Sequence, residues 1–69
     1  MAMSGRVVSW DEKHGIGLIR ADSSAETIFF HVRDMDIEAL PPYLTERVAF
    51  DTETDMSGCG FALHIMPIV

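Results

Sequence analysis

Much is scarce in this sequence, and each shortage excludes something. It has one cysteine in 69 residues. Cys59 alone cannot form an intrachain disulfide or a multi-cysteine zinc site, and a lone thiol suits a reducing compartment. No run of about 18 apolar residues occurs, so no membrane-spanning helix is expected. The opening Met1-Ala2-Met3-Ser4-Gly5 has neither the basic nor the apolar region of a secretory signal. A cytoplasmic protein without membrane contact is the expectation. Catalytic constellations are lacking too. His14, His31 and His64 lie in separate segments without ligand spacing, so no metal is expected. Cys59, in a Gly-Cys-Gly turn, has no identifiable base. Gly15-Ile16-Gly17 has no following helix and is too short for a dinucleotide motif. Neither a cofactor nor an enzyme activity is expected.

Cations are also few. Five Lys and Arg stand against eleven Asp and Glu, for a net charge of -6. That balance opposes nucleic acid as a partner, but its distribution is uneven. Residues 1–33 carry Arg6, Lys13, Arg20 and Arg33 against Asp11, Glu12, Asp22 and Glu26, which cancel. Residues 34–69 carry Arg47 against seven acids and hold the whole excess.

Hydrophobic residues make up 48% of the chain, enough for one folded domain over residues 1–69, near the lower size limit for a self-supporting core. The pattern is that of short strands. Arg6–Trp10 is β-branched and aromatic. His14–Ile19 and Ile28–Val32 follow across a polar turn and form a pair. Alternation puts Ile16 and Leu18 on one face of the first, and Ile19 with the glycines on the other. Ile28, Phe30 and Val32 share a core face, while Phe29 and His31 point outward. Arg6, Val8 and Trp10 share one face by the same rule. Asp34 to Leu40 reads as a helical turn capped by Asp34, with Ile37 and Leu40 packing, ended by Pro41-Pro42. Tyr43 and Leu44 are expected to tuck this connection against the sheet. Arg47–Thr54 alternates, with Val48, Phe50 and Thr52 opposite Arg47, Ala49, Asp51 and Glu53. Phe61–Met66 is the last strand. The expectation is an all-β, five-stranded antiparallel barrel or sandwich.

The motifs carry a family resemblance. Gly5-Arg-Val-Val-Ser-Trp-Asp-Glu-Lys-His-Gly-Ile-Gly-Leu-Ile19 resembles the opening of a bacterial cold-shock domain, with its Trp-Phe pair and Lys-Gly-Phe-Gly-Phe-Ile motif. Ile28-Phe-Phe-His-Val32 resembles the second motif of that family, Val-Phe-Val-His. Arg47-Val-Ala-Phe50 and Gly58 to Ile65 resemble its fourth and last strands. The resemblance implies an OB-type β-barrel that lays single-stranded RNA or DNA across its first three strands, with bases on exposed rings and phosphates near cations. The departures are specific. Ser9 stands at the first Trp of the pair and Trp10 at its Phe. Ile16 and Leu18 replace both phenylalanines of the glycine motif, and His14 replaces its lysine. Thr45 stands at the glycine before the fourth strand, and His64 at an asparagine of the last. Three lost rings would forfeit about 3 kcal/mol of stacking, on the order of 100-fold in affinity.

On this reading the nucleic-acid-binding candidates are Trp10, Phe29 and His31 for stacking, Ile16 and Leu18 for apolar base contact, and Arg6, Lys13, Arg20 and Arg33 for phosphates. Each has a plainer alternative. Trp10 can instead seal the end of the barrel, His31 can be an exposed polar residue, and Ile16 and Leu18 can be extra core. Val8, Ile16, Leu18 and Phe29 together can form a homodimer or protein-partner surface.

Overall fold

The computed structural model describes residues 3–68, apart from the side chain of Glu38. Five strands, β1 (Met3–Asp11), β2 (Ile16–Ala21), β3 (Thr27–His31), β4 (Arg47–Thr54) and β5 (Gly60–Pro67), close into a barrel in the order β1-β2-β3-β5-β4. All neighbours pair antiparallel except β3 and β5, which meet in parallel where Phe29 faces Phe61. The wholly antiparallel expectation is corrected at that one seam. Closure removes the exposed edges that an open five-stranded sheet would leave.

Alternation explains the interior. Val7, Ile19, Phe30, Val48, Phe50 and Ile65 are its largest fully buried side chains. Each contributes about 1.5–3 kcal/mol of apolar burial. Their sequence neighbours Val8, Leu18 and Phe29 are exposed. The core therefore uses one face of β1–β3 and leaves the other to solvent.

Trp10 departs from simple alternation. The register between β1 and β2 slips between Val7 and Ser9, a bulge that leaves Val8 and Ser9 both outside and turns Trp10 inward. The indole stacks on Phe30, with ring centroids 6.0 Å apart and planes 8° from parallel. The expectation that Trp10 shares the outer face with Arg6 and Val8 is corrected: the half-buried ring packs against the core.

The connection from β3 to β4 also differs from expectation. Val32 leaves β3 and opens a 3-10 turn, Val32–Asp34, and a second turn covers Ile37–Ala39. No longer helix forms, because Met35 bridges to Ile65 and the Asp36 N–H bonds to the Ile65 carbonyl at 2.7 Å. His31, not Asp34, caps the first turn. Met35 and Ala39 pack inward, whereas Ile37 is 81% exposed, and Leu40, Tyr43 and Leu44 are exposed as well. The connection is held instead by main-chain bonds from Val7 N–H to the Glu46 carbonyl and from Thr45 N–H to the Val7 carbonyl. Glu46 is buried there, and its carboxylate accepts the Tyr43 N–H at 3.3 Å. Burial pushes this carboxyl above its ordinary pKa.

Two of the departures from the cold-shock pattern fall on left-handed backbone. Thr45 has φ 73° and His64 has φ 52°. His64 and Ile65 together face Phe50 where the β4–β5 register slips, and the His64 ring meets Asp51 at 3.2 Å. For β-branched Thr45 the left-handed region costs about 1–2 kcal/mol. Glycine removes that strain but has a more disordered unfolded chain, worth about 0.5–1 kcal/mol. Thr45→Gly is expected to raise the stability by about 0.5–1 kcal/mol. Urea unfolding measures this, and a loss of stability would refute the strain argument.

Candidate nucleic-acid interface

The outward face of β1–β3 is built by cross-strand register. Leu18 lies directly opposite Phe29, Ile16 opposite His31, and Arg20 opposite Thr27. Leu18 also lies opposite Ser9 of the bulge. Val8 at 38%, Leu18 at 37% and Phe29 at 44% exposure form an apolar ridge. Phe29 lines concavities on both of its sides. One, of about 420 Å³, also includes Phe61, His31, Arg33, Asp34, Asp55 and Cys59. The other, of about 270 Å³, includes Ser9, Asp11, Ile16, Gly17 and Leu18. A ring between two open hollows can offer its face to a planar ligand on either side.

His31 has a defined tautomer. Its Nδ1 accepts the Arg33 N–H at 3.1 Å, which puts the ring proton on Nε2. The ring thus caps the turn after β3 and keeps one N–H available at the face. Arg33 is exposed beside it, and Lys13 is exposed in the β1–β2 turn. Both lack an ion pair among the described residues.

Carboxylates rim both hollows. The His14 ring hydrogen-bonds Asp11 at 2.7 Å and holds it below the usual carboxylate range. The Ser57 hydroxyl donates to Asp55 at 2.6 Å, assisted by the Cys59 N–H, and lowers that group likewise. Both stay ionised well below neutral pH, so the smaller hollow is acidic and the larger one, with Arg33, is mixed. Among the described residues no group of three His, Cys, Asp or Glu side chains is placed to hold a metal ion.

The structure brings Ile16, Leu18, Phe29, His31 and Arg33 together around the two hollows. Arg6 lies two positions from Val8 on the same outward face, away from them, and Trp10 lies behind the face against Phe30. Phe61 is the residue that sequence reasoning passes over. It is half-buried and joins the larger hollow through the parallel β3–β5 seam. Its position at the start of a strand resembling the last strand of a cold-shock barrel is the available signal.

No family model and no curated protein matches this chain. Among solved structures it is similar to one described as Drosophila Unr CSD456, with TM-score 0.84 and 20% identity over 100% of this chain. The chain spans about a quarter of that structure's length, 27%. At this identity the likeness concerns architecture, and with the closed strand order it shows that the chain has the OB-type cold-shock fold.

Proposed function

We propose that this protein binds single-stranded nucleic acid, RNA or DNA, across the outward face of β1–β3, weakly and with little sequence preference. One observation carries the reading: Phe29, a large ring 44% exposed on a cold-shock barrel, stands between two base-sized hollows. A base stacks on Phe29, a neighbour covers Leu18 and Ile16, and the His31 Nε2–H donates to the strand. Arg33 in the larger hollow and Lys13 in the β1–β2 turn add positive charge that attracts the strand. Ser9, Ile16 and Leu18 offer no π-face, which keeps affinity low. Binding needs no cofactor and no catalysis, and a cytoplasmic location is part of the same proposal.

The test is fluorescence anisotropy of a labelled oligothymidine or oligouridine at low salt. Saturable binding that weakens as salt rises supports the proposal. No binding with protein in large excess overturns it. Asp34 lines the larger hollow without compensating a cation through any ion pair among the described residues. Asp34→Asn is expected to tighten binding about two- to three-fold at low salt, an effect that disappears near 1 M salt. An unchanged affinity would place the strand away from this hollow.

The contiguous exposure of Val8, Leu18 and Phe29 also suits a second reading, a homodimer or protein-partner surface. Light scattering separates the two. A mass that doubles with concentration in the wild type, and not in Phe29→Ala, favours self-association.

A further inference from the structure

The scarce cations are not scattered. Arg6 in β1 is the direct partner of Arg20 in β2 and of Arg47 in β4. Directly opposed residues of antiparallel strands share a face, with Cα atoms about 4.5–5.5 Å apart. All three side chains are exposed. Three of the chain's five Lys and Arg therefore form one row across three strands, in a protein of net charge -6.

Such a row opposes folding, since like charges directly across a ladder are destabilising. A glutamate at any of the three positions would relieve it, and the chain has eleven acidic residues. Compensation is slight. Asp22 pairs with Arg47 at 3.0 Å and takes the Ser4 hydroxyl at 2.9 Å. Arg6 and Arg20 have no ion pair among the described residues. They line a shallow concavity of about 240 Å³ with Val8, Ala21, Asp22 and Ala25. The local sum is three positive charges against one negative. At the Phe29–Phe61 hollow, by contrast, one cation, Arg33, shares the lining with two carboxylates, Asp34 and Asp55.

The two features are in register. Arg20 and Leu18 are two residues apart on β2, and Arg6 and Val8 two apart on β1, each pair outward. The arginine row therefore runs alongside the Val8–Leu18–Phe29 ridge, about 7 Å from it. Bases on the ridge put their sugar–phosphate backbone to one side. The far side sets Lys13 and Arg33 against Asp11, Asp34 and Asp55, whereas the near side offers three guanidinium groups suited to bidentate phosphate binding against Asp22 alone.

We propose that Arg20, Arg6 and Arg47 form a phosphate-binding row that fixes which side of the ridge the nucleic-acid backbone follows and extends the footprint onto β4. This inference rests on the nucleic-acid reading above and adds to it a backbone path.

The test compares salt dependence in wild type, Phe29→Ala and the double variant Arg6→Gln/Arg20→Gln. For single strands the slope of log K against log salt falls by about 0.7 for each phosphate that is no longer neutralised. The double variant is expected to bind with a slope shallower by about 1.4, the value for two phosphates. Phe29→Ala is expected to bind more weakly with an unchanged slope. Unfolding does not mimic the result, because removing two opposed charges leaves the thermal midpoint equal or higher. In parallel, tripolyphosphate is expected to shift the Nε–Hε resonances of Arg6, Arg20 and Arg47. A wild-type slope in the double variant, or no shift of those resonances, overturns the arginine row and leaves the Phe29 face standing. No oligonucleotide binding by the wild type overturns both.

Discussion

Gly17→Ala is expected to destabilise the protein by at least about 3 kcal/mol, a large share of its total stability. Gly17 sits in β2 opposite Trp10 on one side and Phe30 on the other. A Cβ at this position would lie 2.5 Å from the Ser9 carbonyl oxygen and 2.7 Å from two atoms of the Phe30 ring. Neither neighbour can yield cheaply. The Ser9 carbonyl is main chain at the bulge of β1, and Phe30 is 0% exposed with Trp10 stacked on it. Relief requires β1 to separate from β2 or the ring to leave the core. Overpacking of this kind costs about 1–3 kcal/mol, and more where main chain must move. A domain of this length has a total stability of roughly 3–10 kcal/mol at the usual per-residue value. The expected destabilisation is at least about 3 kcal/mol, measured by urea unfolding followed through Trp10 emission and circular dichroism. Gly60→Ala is the control, because its Cβ would find its nearest neighbour at 4.0 Å. Its expected destabilisation is below about 1 kcal/mol. A Gly17→Ala variant as stable as the control would contradict the packing described.

The second large effect separates two adjacent phenylalanines. Phe30 is fully buried and Phe29 is 44% exposed. Phe30→Ala is expected to lose about 3–5 kcal/mol of stability, as buried aromatic truncations do. Phe29→Ala gives up its cross-strand packing with Leu18, worth about 0.2–1 kcal/mol, and remains folded. Its cost falls on binding. Removal of one base–aromatic stack is worth about 1–3 kcal/mol, or roughly 5- to 150-fold in oligonucleotide affinity. Unfolding curves and anisotropy titrations on the two variants measure both quantities. Equal affinity of Phe29→Ala and wild type would remove the ring from the site.

The inward positions Val7, Ile19, Phe30, Val48 and Phe50 are legible in the sequence because a strand exposes alternate residues and one face here is core. Trp10 is not, because a bulge shifts the count by one and nothing in Val8-Ser9 announces it. The cold-shock resemblance carries the better signal, since Trp10 stands where that family has the second ring of its pair. Thr45 and His64 are visible as departures from glycine and asparagine. Their left-handed backbone explains why those two residue types suit the positions. Phe61 beside Phe29, and the row of three arginines, depend on which strands meet and in what register. Local pattern is silent about both, so Arg47 reads as one more solvent-facing charge. In the β3–β4 connection, main-chain bonds to Ile65 and Val7 decide the path, and side-chain hydrophobicity misleads. That is why hydrophobicity draws Ile37, Tyr43 and Leu44 inward while the fold leaves them outside.

The central claim is a location: a single strand on the outward face of β1–β3, centred on Phe29. Amide chemical-shift mapping of the wild-type protein, titrated with unlabelled oligothymidine at low salt, tests it most directly. The account predicts the largest shifts at Leu18, Phe29, His31 and Phe61, with the interior positions Val48 and Ile65 nearly unmoved. Shifts concentrated on the far side of β4 and β5, or none with the oligonucleotide in large excess, would contradict it.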